Sequence, residues 1–352
     1  MSTVALELTR AMLAAGASDG WTVFFSEKRL PGFDAARAVL SPSRQELANK
    51  LSWLPRVEAE ARLDAILYPY WPSPPWRSRR APPAAVFVHD LAFRVRPAEV
   101  PWQQRLYMGR LLPRALETAA AVIVPSAATR RDLLAHYPLA GLEERVHLVP
   151  EGPGLEGVEP GALPAGLSPG FLLAVGTVEP RKNYRRLLAA YRQLPDPPPL
   201  VIAGKAGWAF GDTLELLRSE PRVRLLGHVD DPTLLALYRS AAALAFPSLY
   251  EGFGLPLLEA MAQGLPALVG DAGALPELAA GAALAVDPLS EEAIAAGLAR
   301  LLGDSALRAE LAAKGRQRAR RFTWAAAGKQ ALRVLRSVAA AGPGYHVGSG
   351  HV

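Results

Sequence analysis

The chain has 352 residues, half of them hydrophobic, with 20% charged residues and a formal net charge of +6. That length accommodates two domains with separate cores, and the absence of cysteine excludes a disulfide framework, a thiolate metal site and a cysteine nucleophile. No basic start leads into an apolar core and no apolar run approaches the roughly 18 residues of a spanning helix, so the expectation is a cytoplasmic protein whose positive charge favours nucleotide phosphates, acidic headgroups or nucleic acid.

In chain order, the first half alternates helical patterns near 2–15, 43–53, 101–119 and 127–136 with apolar runs at 22–25, 65–68, 84–89, 121–124 and 146–149 that read as strands. Between two of these runs lies the segment from Tyr70 to Arg80, a Pro-rich loop mixing aromatic and basic side chains. It suits an anionic membrane surface or a glycan acceptor; the alternative is a rigid loop with solvated arginines. His89 and Asp90 close the 84–88 run at its carboxyl end. They are candidates for the transferred sugar or the acceptor, against the plainer reading of an interior imidazole and a turn-capping carboxylate. Ser126, after the 121–124 run, joins Asp90 as a candidate on the acceptor side.

Residues 150–170 hold five Pro and six Gly, which neither strand nor helix sustains, and they read as the interdomain linker. The expected domains are therefore 1–165 and 166–325, followed by a helix over 326–340 that returns to the first domain and a disordered tail over 341–352, in which His346 and His351 are solvated. Beyond the linker, strands are expected at 171–175, 200–204, 223–226, 242–246, 267–269 and 283–286. Helices fall at about 184–194, 232–241, 255–263 and 290–302. Regular alternation predicts parallel sheets with ligands at the carboxyl ends of the strands, and two such domains facing across a cleft.

Three loops of the second half carry chemistry. After the 171–175 strand, Gly176 begins a loop ending in Arg181-Lys182-Asn183, where a bidentate Arg, a compact Lys charge and a helix start capped by Asn183 suit a diphosphate. A pair of solvated surface cations is the alternative. Gly227-His228 ends another strand and borders a base pocket or a simple turn. In Glu251-Gly252-Phe253-Gly254-Leu255-Pro256-Leu257-Leu258-Glu259, two carboxylates eight positions apart bracket a flexible loop and a helix start, the outline of a nucleotide-sugar site, or else a surface loop with two solvated glutamates. Neither Asp-x-Asp, His-Glu-x-x-His, a cysteine cluster nor a Walker loop occurs, so neither a metal site nor a cofactor is expected.

His89-Asp90, Gly176 with Arg181-Lys182-Asn183, Ala203-Gly204, Gly227-His228, Leu237-Tyr238, Pro247-Ser248, the Glu251-to-Glu259 segment and Pro276-Glu277, in this order over residues 84–325, resemble the retaining glycosyltransferases of family 4. The resemblance implies an α/β GT-B fold of two Rossmann-like domains, the second holding the donor. It assigns Arg181 and Lys182 to the diphosphate, Glu251 with the backbone of Gly252, Phe253 and Gly254 to the donor sugar, and Glu259 to the ribose. His89 approaches the sugar from the first domain, while Gly176, Gly227, His228 and Leu255 complete the donor pocket. It implies metal-independent transfer of a hexose with retention by front-face attack, to a glycan or lipid-linked acceptor. GDP-mannose is the first donor expected and UDP-glucose the second. Members open with a strand and a glycine-containing loop, whereas this chain opens at Val4-Ala5-Leu6-Glu7-Leu8, already helical in pattern, so that first strand reads as missing. Two rivals stand beside the enzyme: a catalytically impaired nucleotide-sugar binding or regulatory protein, and a nucleic-acid binder, which the dispersed basic residues disfavour.

Overall fold

The structure, a computed structural model, describes residues 3–25, 30–42, 52–70, 73–74, 76–78, 80–207 and 212–342. Most of the helix expected near 43–53, and the tail beyond 342, lie outside the described residues. The chain forms two compact units. One comprises the chain up to Arg94, Trp102–Gly152 and the chain from Thr323; the other comprises Val95–Pro101 and Pro153–Phe322.

The second unit is built on a six-stranded parallel sheet in the order β12-β11-β10-β7-β8-β9. Its strands are β7 (Leu172–Val175), β8 (Leu200–Ala203), β9 (Val223–Gly227), β10 (Ala243–Phe246), β11 (Ala267–Gly270) and β12 (Leu284–Val286). Leu173 and Val175 of β7 join one core cluster and Leu172 and Ala174 the other, as do Leu244 and Phe246 against Ala243 and Ala245 of β10. A strand buried on both faces reads as a continuous apolar run, which is why these strands stand out in the sequence. The chain runs outward from β7 through β8 and β9, then returns to β10 beside β7 and runs outward the other way. The loops after β7 and β10 therefore part at the point where strand order reverses, the usual ligand position in such sheets.

The Pro- and Gly-rich stretch is not a free linker. From Pro153 onward it is laid onto the second unit: Leu155 enters the core, the Gly161 N–H donates to the Pro232 carbonyl at 2.9 Å and the Gly170 N–H to Ser240 at 2.8 Å. The unit boundary accordingly falls at Gly152, well before 165.

In the first unit, β3 (Ile66–Tyr68), β4 (Ala84–Phe87), β5 (Ala121–Val124) and β6 (Val146–Leu148) form a four-stranded parallel sheet. Separately, β1 (Thr22–Phe25) pairs in parallel with β2 (Arg37–Leu40), a strand the sequence pattern did not show because its side chains are half-buried or exposed. Helix α1 (Thr3–Ala15) packs against the last long helix, Trp324–Ala340, so closely that a Cβ on Gly328 would come within 2.5 Å of the Ala11 backbone. That last helix buries Trp324, Ala331, Leu332 and Val338 and leaves Lys329, Arg333 and Arg336 exposed, with Arg336 bonded to Asp19 at 2.8 Å.

The arginines of the aromatic loop are not all solvated. The Arg77 Nε donates to buried Glu58 at 3.0 Å and its Nη2 to the Pro82 carbonyl at 2.6 Å; the Tyr68 hydroxyl donates to the same carboxylate. Tyr70 and Trp76 of this loop stay exposed.

Candidate active site

The loop after β7 owes its shape to close backbone packing and a proline turn. A Cβ on Gly204 would sit 1.8 Å from the Gly176 carbonyl oxygen, so only glycine lets the ends of β7 and β8 approach this closely. Pro180 starts a single 3₁₀ turn through Lys182, and Asn183 follows in the left-handed region at φ 63°. Asn183 does not cap the next helix, α2 (Tyr184–Arg192), by side chain as expected. In its left-handed conformation its Nδ2 turns away and donates to the carbonyls of Pro247 at 3.0 Å and Pro288 at 2.6 Å. The Leu249 N–H donates to the Arg181 carbonyl at 2.8 Å, a second tie between the loops after β7 and β10.

These ties bring Arg181 and Lys182 against Glu251. The Lys182 Nζ donates to Glu251 Oε1 at 2.7 Å, and Arg181 Nη1 donates to Glu251 Oε2 at 2.7 Å and to the Tyr250 carbonyl at 2.9 Å. The other arm of the fork, Arg181 Nη2, donates to Glu179 at 2.7 Å. Lys182 also lies 4.9 Å from the centre of the Phe246 ring. Burial alone would raise the Glu251 carboxyl, but the Arg181 and Lys182 charges outweigh it and hold the group at about 2. Burial pushes the Lys182 ammonium down, against the pull of Glu251, and pushes Glu179 up, against Arg181 and Lys182.

Glu259 stands in a different setting. It lies on α3 (Leu255–Gln263), which begins after Gly254 at φ 107° with Pro256 in its first turn and ends at Gly264 in the left-handed region, as the sequence indicates. Its carboxylate accepts from the buried Tyr238 hydroxyl at 2.9 Å. With no cation among the groups acting on it, burial raises it to about 7, although the bonds from Tyr238 and the Gly154 backbone pull the other way.

Of the other expected donor residues, Gly227 ends β9 at φ 69° with open space where a side chain would stand, and His228 follows it exposed. Phe253 and Leu255 pack with the core, Phe253 edge-on to Phe322 at 5.9 Å, so any ligand contact at Phe253 falls to its backbone. In the first unit, His89 stacks on Phe87 at 4.5 Å; its Nε2 meets the Pro69 carbonyl at 2.8 Å and its Nδ1 lies 3.6 Å from Glu151. Asp90 caps the next turn, accepting from the Ala92 N–H at 2.9 Å. Ser126 is a buried N-cap, accepting from the Thr129 N–H at 3.0 Å. Both are engaged in local capping. Glu179 is the residue sequence reading passed over. Its signal was the charge order Glu-Pro-Arg-Lys around a proline turn, which folds the acid back onto the arginine.

Among the described residues no group of three metal-ligating side chains comes together, and no helix is long and apolar enough to cross a membrane.

Residues 161–318 match the profile described as Glycosyl transferases group 1, and residues 1–155 match Glycosyltransferase Family 4. The O-antigen chain mannosyltransferase B of Escherichia coli is 32% identical over 286 residues, spanning 77% of this chain and 74% of that protein. Among solved structures, sucrose-phosphate synthase of Thermosynechococcus elongatus superposes with a TM-score of 0.72 at 24% identity, covering 95% of this chain and 92% of that one. Anabaena HepE in complex with UDP-glucose gives 0.71 at 20% identity, covering 94% and 95%. These two likenesses establish a GT-B fold of two Rossmann-like domains. With both halves matched in order and a mannosyltransferase relative aligned along most of its length, the chain belongs to the family 4 glycosyltransferases.

Proposed function

We propose that this enzyme moves a hexose from a nucleotide-diphosphate sugar, GDP-mannose first and UDP-glucose second, to a glycan or lipid-linked acceptor in polysaccharide or glycolipid synthesis, with retention and without a metal ion. The observation that carries this reading is the convergence of Arg181, Lys182 and Glu251 at the strand-order reversal of the second unit. Two fixed cations beside an open helix start stabilise charge developing on a departing diphosphate, and Glu251 orients them. In this reading Glu259 and Tyr238 receive the ribose, and the backbone of Gly252 to Gly254 lies along the sugar. His89 is the first unit's candidate for the sugar. The mannosyltransferase relative supports the choice of sugar and acceptor class. The exposed Tyr70 and Trp76 support a peripheral contact with a membrane or glycan, consistent with work on the cytoplasmic face.

The test is a thermal-shift panel of GDP-mannose, UDP-glucose and ADP-glucose, followed by transfer assays with the sugar that stabilises the protein. Stabilisation by GDP-mannose, abolished in Lys182→Ala, is expected. Stabilisation without transfer to any mannan-type or lipid-linked acceptor would instead favour a nucleotide-sugar binding protein, and no response to any of the three sugars would end the donor reading.

A further inference from the structure

The cation pair of the donor pocket is already neutralised before any ligand arrives. Glu179 and Glu251, 4% and 6% exposed, balance Arg181 and Lys182 one for one. A sugar diphosphate adds two negative charges to this buried group, and uncompensated charge in such a setting is costly. Of the two carboxylates, Glu251 is bonded by both cations, whereas Glu179 is bonded by one arm of Arg181 alone. The charged groups acting on Glu179 come from the turn that carries it and from the loop after β10: Arg181, Lys182 and Glu251. The Tyr184 phenol, at the start of α2, is held by the Gly176 carbonyl at 2.8 Å. Glu179 is thus the carboxylate with the least cationic support when a diphosphate draws Arg181 and Lys182 toward itself.

We propose that Glu179 is a positioning residue of the donor pocket: it fixes one arm of the Arg181 fork before the donor arrives, and it takes up one proton from solvent as the diphosphate enters. The inference rests on the donor reading above. Once protonated, the carboxyl no longer competes with phosphate for the guanidinium, yet its remaining oxygen still accepts from Arg181 Nη2, so the fork keeps its direction. The upward push that burial gives this carboxyl lowers the cost of the step.

The experiment is calorimetric titration of GDP-mannose, with UDP-glucose in parallel, into the full chain at pH 6, 7 and 8, in buffers of contrasting ionisation enthalpy. Neither sugar diphosphate titrates in that range, so protons taken up go to the protein. Wild type takes up protons on binding and its affinity falls as pH rises. Glu179→Gln, which mimics the protonated acid, takes up fewer protons and binds more tightly than wild type, by a margin that grows from pH 6 to pH 8. Glu179→Ala, which leaves Arg181 unsteered, binds about tenfold more weakly at every pH, the equivalent of one lost orienting bond. Glu259→Gln, run alongside, removes the share of that second titrating acid. Proton uptake in Glu179→Gln equal to wild type, with the same pH dependence, overturns the inference while leaving the donor reading intact. Absence of binding by both sugars overturns the two together, and melting curves confirm that each variant is folded.

Discussion

The Lys182 ammonium and the Glu251 carboxylate, 69 residues apart in the chain, meet at 2.7 Å inside the second unit. Each lowers the cost of burying the other, and Arg181 shares the Glu251 charge at 2.7 Å. Removing one partner of a buried pair costs about 3–5 kcal/mol where no other counter-charge remains, so with Arg181 still in place the loss here falls at or below the low end of that range, whereas replacing both partners by groups of similar volume is close to neutral.

Lys182→Met is therefore expected to lower the melting temperature by several degrees and to abolish donor binding. Glu251→Gln in the same chain should restore most of the stability without restoring binding. Thermal melts and calorimetry on the two single variants and the double variant check this. A double variant no more stable than the single ones would show that the pair is not the source of the loss.

Glu259 gives a pH signature of opposite sign to Glu251. Its carboxyl is raised to about 7 in the folded chain, from an ordinary value of 4.5, so the fold favours the protonated form. The stabilisation is complete below 4.5 and is lost as pH rises toward 7; above that, ionising the buried acid costs about 3 kcal/mol. Glu259→Gln should leave the melting temperature unchanged at pH 5 and raise it by several degrees at pH 8. Equal shifts at both values would contradict the assignment. Glu251, held at about 2, supplies stability above 4.5 that is lost as pH falls toward 2.

Gly204→Ala places a methyl group where the Gly176 carbonyl oxygen lies 1.8 Å away, so the end of β8 must move and the loop bearing Arg181 and Lys182 must move with it. Loss of donor binding is expected together with destabilisation of about 2–4 kcal/mol, typical of overpacking beside main chain. Denaturant unfolding and donor titration of the same preparation measure both.

His89→Ala separates binding from transfer. The residue lies in the first unit, whereas the cation cluster lies in the second. If His89 serves the sugar, transfer should fall by about 10²-fold or more, in line with loss of a positioned polar group in the transition state, while donor affinity stays within about twofold. A parallel fall in donor affinity would place its role elsewhere.

The strands were legible because parallel strands buried on both faces are nearly uninterrupted apolar runs; β5 and helix α3 fall where the pattern puts them. β2 was not, since its side chains are only partly buried and carry no continuous run. Helices Thr213–Arg218 and Leu275–Ala279 were missed as well, being too short for periodicity to declare itself. In the site, the residue types and their strand-end placement could be read from spacing. Their partnerships could not. That Glu251 neutralises Lys182, or that no cation among the described residues acts on Glu259, depends on which loops meet at the strand-order reversal, and spacing within one motif carries no such information.

The brace formed by Asn183 has a lopsided mutational logic. Both of its acceptors are main-chain carbonyls, which any amino acid at 247 or 288 supplies, so those two positions are free to drift as far as the brace is concerned. Within this brace a single amide serves both contacts: change at 183 is penalised at once, while its counterparts accept variation silently.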